Sequence, residues 1–349
     1  MKAARSINNA LVLVEEPVPK IKLGEVLLKV MASAICGSDQ KILEGKKKAL
    51  PHTILGHETA GVVATLGEGV NGVSRGDRVT VFPSITCGQC LYCGTGKSNI
   101  CINKRTIGYA LDGGFAEYLV IPADMVKLGC LVTLPPCLSF EEGALMEPLS
   151  CCISSLTHTG MNRESHLLII GGGPMGQLHV LAARGLGASK ILLSEPHKKR
   201  REHALNLGAD KVLNPQEECM EDIVLGETQG TGVDICILCM GDASELESAI
   251  KAVRKRGVIS LFASFAPHTQ STIDPNKIHY AELTLTGTHS TTLTQFKKTV
   301  VLSEQYGIDL KKVITHRFPL EQIGDAFETY RKQEGLKIIL KPDNQERET

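Results

Sequence analysis

An apolar run, His166-Leu167-Leu168-Ile169-Ile170, leads without a break into Gly171-Gly172-Gly173-Pro174-Met175-Gly176. Five such residues suit a strand, and three consecutive glycines continue neither a strand nor a helix. The stretches that follow alternate in kind. A helical pattern at 177–185 precedes the strand KILLSE, and a helix over Lys198–Leu207 precedes the strands KVLN and VDICILCM. A further helix at 245–253 and the strand GVISLF complete the series. This rhythm predicts an α/β unit, a doubly wound parallel sheet with helices on both faces, over residues 151–290.

The flanking sequence has a different texture. Residues 1–150 carry glycine and proline turns between short β-branched runs at 25–30, 60–66, 78–82 and 116–121. Such punctuation predicts an irregular, mainly antiparallel, barrel-like domain. Residues 291–349 add amphipathic helices at 293–306 and 320–333 and a last strand, KIILK. At 349 residues the chain can build two cores. The expected organisation is one domain from 1–150 and 291–349, with 151–290 inserted into it.

The glycine run fits G-x-G-x-x-G at Gly171, Gly173 and Gly176. Its first glycine permits a tight turn, its second lets backbone approach a pyrophosphate, and its third allows close helix–strand packing. Pro174 and Met175 open the helix whose N–H groups would face the phosphates. Glu195 ends the next strand, 19 residues after Gly176, where a carboxylate would accept hydrogen bonds from ribose hydroxyls. A carboxylate there repels a 2′-phosphate and favours NAD over NADP. Lys198, Lys199, Arg200 and Arg201 follow closely and pull the other way, unless they only form a solvated helix face.

Four cysteines, Cys87, Cys90, Cys93 and Cys101, stand in the run CGQCLYCGTGKSNIC. One loop with this spacing can present four thiolates to one ion, and Zn²⁺ suits a sulfur tetrahedron. Four protein ligands leave no open position, so the predicted site is structural. Disulfides or an iron–sulfur cluster are the competing readings. The sequence starts MKAARSINNA without an apolar leader, which favours a cytoplasmic setting and a metal site. Of twelve cysteines, seven more lie scattered, as at Cys236 and Cys239, or adjacent, as at Cys151 and Cys152, and are expected to be free thiols.

Lys+Arg and Asp+Glu both number 38, which gives no electrostatic case for nucleic acid. Apolar runs such as 167–170 are far too short for a membrane span. The chain has no Trp and only 4% aromatic residues, against a sugar- or base-stacking surface. Cys36-Gly37-Ser38-Asp39 and Gly56-His57-Glu58 each end a strand-like run. Cys36 and His57 could give a thiolate and an imidazole to Zn²⁺, with a carboxylate as third ligand and an open fourth position. Asp39 could orient the imidazole through its other nitrogen.

The pattern Gly56-His57-Glu58-x2-Gly61-x5-Gly67-x2-Val70 resembles the zinc-dependent medium-chain dehydrogenase/reductase superfamily. Gly76-Asp77-Arg78-Val79, Gly113-Gly114-Phe115-Ala116-Glu117-Tyr118, the cysteine lobe and the Rossmann fingerprint occur in that family's order. Gly143-Ala144-Leu145-Met146-Glu147-Pro148-Leu149 is similar to the sorbitol/polyol dehydrogenase branch. The resemblance implies a GroES-like catalytic domain and two Zn²⁺ per chain, one catalytic and one structural. It implies a catalytic ion held by Cys36, His57 and either Glu58 or Glu147, the other glutamate acting through a water. Ser38 matches the family's proton-relaying hydroxyl, and Lys41 stands where alcohol dehydrogenases carry a relay histidine. The implied activity is NAD-dependent oxidation of a secondary hydroxyl of a polyol, sugar or cyclitol. Hydroxy-amino acids, phosphorylated polyols (Lys46-Lys47-Lys48 could sit near the cleft, or decorate a solvated loop) and a non-catalytic zinc and nucleotide regulator are the alternatives. A sheet edge at 283–288, with apolar Leu283 and Leu285, suggests a homodimer or homotetramer.

Overall fold

The computed structural model describes residues 1–342. It divides into two compact units. One comprises Met1–Pro148, Thr291–Gln305 and the chain from Leu310; the other comprises Leu149–Ser290 and Tyr306–Asp309.

The first unit is built on a seven-stranded sheet. Its spatial order is Ile314–Pro319, Lys337–Lys341, Val26–Ala34, Glu58–Leu66, Arg78–Val81 and Leu131–Thr133, and Tyr118–Ile121 also pairs with Val26–Ala34. All its pairings are antiparallel except Ile314–Pro319 with Lys337–Lys341. Two registers position the chemistry. Ala34 faces Glu58 on one side and Ile339 on the other. The ends of three strands therefore gather Cys36, His57, Glu58 and Lys337, which are far apart in sequence.

Burial of apolar side chains holds this arrangement together. Ile35, Ile54, Leu55, Phe115, Phe327, Ile338 and Leu340 share one core. Phe115 is fully buried and meets Phe327 edge-on, with ring centroids 6.0 Å apart. Gly56 has φ +90°, and a Cβ there would stand 2.5 Å from the Phe115 ring. Glycine is required immediately before His57 because an aromatic ring fills the space a side chain would need.

The second unit is a six-stranded sheet, parallel throughout, in the order Lys211–Leu213, Lys190–Ser194, His166–Ile170, Val233–Leu238, Val253–Leu261, Thr284–Gly287. Its β-branched and leucine runs are buried on both faces, as parallel strands are. Leu168, Ile170, Leu192, Cys236, Leu238 and Ile259 belong to one core.

Several boundaries differ from the sequence expectation. The strand expected as GVISLF begins earlier, at Val253, with an irregular register against Val233–Leu238 and Arg256 at φ +60°. The region 320–333 is a 3-10 turn, Leu320–Gln322, followed by the helix Ile323–Arg331. The helix Met146–His158 begins before residue 151, where the inserted unit was expected to start. Before it, Phe140–Ala144 forms a short helix, where Ser139 accepts the Glu142 N–H at 3.3 Å and Glu142 accepts the Ser139 N–H at 2.9 Å. That reciprocal pair is a capping box. Among the described residues no helix is long and apolar enough to cross a membrane.

Candidate metal and cofactor sites

The sulfurs of Cys87, Cys90, Cys93 and Cys101 all lie within 4.8 Å of one another. The short helix Leu91–Gly94 turns Cys93 back toward Cys90, and the 3-10 turn Ser98–Ile100 returns Cys101. The Cys87 N–H donates to Cys101 Sγ at 3.3 Å. Backbone N–H groups of Cys93 and Ile102 pull the Cys90 thiol down to about 6. Desolvation and the hydrogen bond that Cys93 donates to Cys90 push Cys93 up to about 12. Four thiols thus compete for one small space, and a divalent cation resolves that competition by taking the place of their protons. The donor set is soft, complete and closed, and it fits zinc.

A second convergence lies at the strand ends. One donor atom each from Cys36, His57 and Glu58 falls within the same 4.8 Å span. Cys36 precedes the helix Gly37–Leu43, and its N–H donates to Asp39 Oδ2 at 3.0 Å. Asp39 is fully buried, and its Oδ1 lies 3.5 Å from His57 Nδ1. Glu58 is also fully buried; its Oε2 accepts from Lys337 Nζ at 2.5 Å, while Oε1 has no hydrogen-bond partner among the described residues. Lys337 Nζ also donates to the Ile35 carbonyl at 3.2 Å.

The charged groups of this pocket shift one another strongly. Burial favours neutral His57, yet Asp39 and the Cys36 thiolate overcome it and raise the imidazole well above its ordinary value. Burial lifts the Glu58 carboxyl to about 7 even though Lys337 and His57 oppose the shift. A thiolate, an imidazole and a carboxylate with one orphaned oxygen fit a three-ligand zinc site with an open position. Glu147 sits in the first turn of Met146–His158 and is outside this cluster. It still acts electrostatically on Glu58, Tyr109 and Lys337.

Ser38 Oγ donates to Cys36 Sγ at 3.2 Å and lies 2.6 Å from the Tyr109 hydroxyl. Tyr109 in turn is 3.3 Å from His57 Nδ1. Sequence reasoning missed Tyr109 and Lys337. Tyr109 sits in a loop with no periodic signal. Lys337 left a faint one: a lysine opening an apolar strand, fully buried at 2% exposure.

The glycine run behaves as three distinct devices. Gly171 takes φ +99°, and a Cβ on Gly176 would meet the Gly171 carbonyl oxygen at 1.9 Å. A Cβ on Gly173 would meet nothing within 4 Å, so open space faces the backbone at the start of Pro174–Gly185. That space and the helix N-terminus fit a pyrophosphate. Glu195, 3% exposed, accepts N–H bonds from Gly172 at 2.7 Å and His197 at 2.9 Å. Arg200 lies 3.9 Å from the same carboxylate, and Arg201 donates to the Glu195 and Pro196 carbonyls. Lys198 and Lys199 are exposed.

Comparison with known proteins agrees with this geometry. Residues 22–130 match the family described as an alcohol dehydrogenase GroES-like domain, and 174–305 match the zinc-binding dehydrogenase family. The chain is 36% identical to L-threonine 3-dehydrogenase of Pyrococcus horikoshii over 94% of each chain. It is 33% identical to sorbitol dehydrogenase of Bacillus subtilis over 98% of each. A zinc-binding dehydrogenase of Sinorhizobium meliloti, solved bound to NADP, superposes with a TM-score of 0.90 at 29% identity, over 98% of this chain and 99% of that one. The chain belongs to the zinc-dependent medium-chain dehydrogenase/reductase superfamily, and is an oxidoreductase acting on CH–OH with zinc and a nicotinamide cofactor.

Proposed function

We propose that this enzyme reversibly oxidises a secondary hydroxyl of a polyol, sugar or cyclitol-type compound, with NAD as acceptor. The observation that carries this reading is the convergence of Cys36, His57 and Glu58, with Glu58 Oε1 left without a hydrogen-bond partner among the described residues. Those three residues would hold the catalytic zinc, and Cys87, Cys90, Cys93 and Cys101 the structural one. A bound zinc supplies Lewis acidity, which lowers the pKa of a coordinated hydroxyl as it lowers that of water, from 15.7 to about 7 in carbonic anhydrase.

The remaining roles fall to side chains. Asp39 orients His57, and Lys337 fixes one oxygen of Glu58 so that the other is free to bind. Ser38 accepts the substrate proton, and its 2.6 Å contact with Tyr109 offers that proton a first step outward. Glu147 acts on the same site through space or through a water. One thiolate in the ligand set, rather than two, leaves the metal more electrophilic and suits polar, hydroxyl-rich substrates.

Gly171, Gly173, Pro174, Met175 and Gly176 would cradle the cofactor's pyrophosphate. NAD is supported by Glu195, whose two backbone hydrogen bonds hold it as a fixed anion against a 2′-phosphate. Arg200 lies beside that carboxylate and balances its charge. Glu195→Ala should weaken NAD and relieve the repulsion of NADP, changing the ratio of their kcat/KM values by roughly tenfold. A wild-type preference for NADP would contradict the assignment.

A hydroxy-amino acid is the second reading, supported by the 36% identity to L-threonine 3-dehydrogenase. NADH absorbance with sorbitol, other sugar alcohols, 2,3-butanediol and L-threonine separates the two. Thiolate-bound zinc favours work in a reducing cytoplasm. The edge strand Thr284–Gly287, with Leu285 38% exposed, supports assembly as a homodimer or homotetramer, whereas Leu283 packs against its own core.

A further inference from the structure

The three lysines of Lys46-Lys47-Lys48 follow the helix Gly37–Leu43 and face different surroundings. Lys46 is exposed and pairs with Glu44 at 2.8 Å. Lys48 is exposed. Lys47 is only partly exposed, and its Nζ stands 3.9 Å from the centroid of the Tyr109 ring.

This placement is built into the backbone. The N–H groups of Lys46 and Lys47 both donate to the Lys41 carbonyl, at 2.8 and 3.1 Å. A few residues on, the Leu50 N–H donates to the Tyr109 carbonyl at 2.8 Å. The loop is tied at both ends, and one tie is Tyr109 itself. The other face of the matter is where Tyr109 leads: its ring centroid is 5.1 Å from that of His57, and its hydroxyl is 2.6 Å from Ser38 Oγ. A single aromatic ring separates a positioned ammonium from the proposed metal ligand and the proposed proton acceptor.

Burying part of a lysine costs hydration, and a cation–π contact returns part of that cost. A ring face engages one side of an ammonium that has three donors. A neutral polyol gains little from such a group. A carboxylate or phosphate gains a charge-assisted hydrogen bond, the stronger for being partly desolvated. Burial pulls the Lys47 ammonium below its ordinary value, while Cys36, Asp39 and Glu147 pull it back up.

We propose that Lys47, seated on Tyr109, recognises an anionic group on the substrate, so that the alcohol oxidised here carries a carboxylate or phosphate a few bonds from its reacting carbon. This deepens the proposed function and rests on its placing of the catalytic metal at Cys36, His57 and Glu58.

The test uses the zinc-loaded enzyme, with Lys47→Met and Lys47→Arg. D-gluconate against sorbitol reads a carboxylate, and sorbitol 6-phosphate against sorbitol reads a phosphate. In the wild type one anionic probe should exceed sorbitol in kcat/KM by roughly tenfold or more. Lys47→Met should abolish that ratio, mainly through KM, and Lys47→Arg should keep most of it. A ratio unchanged in Lys47→Met, or a wild type that prefers sorbitol, overturns the inference. A second readout needs no turnover: sodium gluconate and inorganic phosphate, added to the zinc- and NADH-loaded protein, with Tm measured. One of them should raise Tm in the wild type and not in Lys47→Met. If no probe is oxidised, the polyol reading fails, yet a Tm shift lost in Lys47→Met still supports the anion site. No shift in either protein overturns it.

Discussion

The cysteine lobe and the Cys36–His57–Glu58 pocket both gather soft or charged donors within 4.8 Å, yet they are assembled in opposite ways. The lobe takes all four of its sulfurs from one loop between Cys87 and Cys101, and no strand outside that loop is needed to complete it. The pocket takes its donors from the ends of two strands, and a third strand supplies the lysine that steadies Glu58. The lobe is closed by four like groups. The pocket mixes a thiolate, an imidazole and a carboxylate and leaves one carboxylate oxygen unsatisfied. A site that only has to hold a loop can be local. A site that has to react must expose an open position, and the surrounding fold must supply the rigidity that a closed ligand shell would otherwise provide.

The largest expected effect separates the two directly. Cys36→Ala or His57→Ala should lower kcat/KM by about a thousandfold or more, since each removes a proposed ligand of a metal that would supply several kcal/mol of charge stabilisation. Melting should change far less than activity. Cys93→Ser should do the reverse, lowering Tm or disrupting assembly, because metal binding in a closed loop is part of folding. Thermal melts and initial rates on the same preparations would expose an exchange of the two roles.

A smaller effect belongs to the pocket's support. Lys337→Met removes the cation that opposes protonation of buried Glu58, so the carboxyl takes up a proton and loses its Nζ partner, and the metal-free protein should be destabilised by about 1–3 kcal/mol. Zinc would replace the lost positive charge, so the penalty should shrink in the zinc-loaded protein. Denaturant melts with and without zinc read the difference. An equal loss in both states would mean that Lys337 serves only packing.

The same contrast explains what the sequence disclosed. The gathering of the lobe's four sulfurs was legible because its cysteines lie close together in one loop. Cys36 and His57 were legible as strand-end donors, while resemblance alone left Glu58 and Glu147 as equals. Only the register of Ala34 against Glu58 and Ile339 brings Glu58, and not Glu147, into the cluster with Cys36 and His57. Lys337 and Glu58 are 279 residues apart, and no local period connects them. The parallel sheet was evident because strand–helix alternation repeats. The break between Leu320–Gln322 and Ile323–Arg331 was not, because the apolar spacing of the two pieces runs on as one pattern. In the sequence Lys46, Lys47 and Lys48 are equal members of a run that could sit near the cleft or decorate a solvated loop; the backbone ties of that loop place Lys47 on Tyr109.

The smallest effect is one of timing. A strong zinc chelator should take the metal from the open pocket before the closed lobe, so activity should fall while Tm still holds. Simultaneous loss of both would argue that the two sites are not independent.

Zinc content per chain tests the central claim most directly, measured by elemental analysis on the wild type, Cys36→Ala and Cys93→Ser. Two independent sites with separate work predict two ions in the wild type and one in each folded variant. Catalysis should be absent from Cys36→Ala and retained, per folded molecule, by Cys93→Ser. A wild type with a single ion, or a Cys36→Ala protein that keeps two, would contradict it.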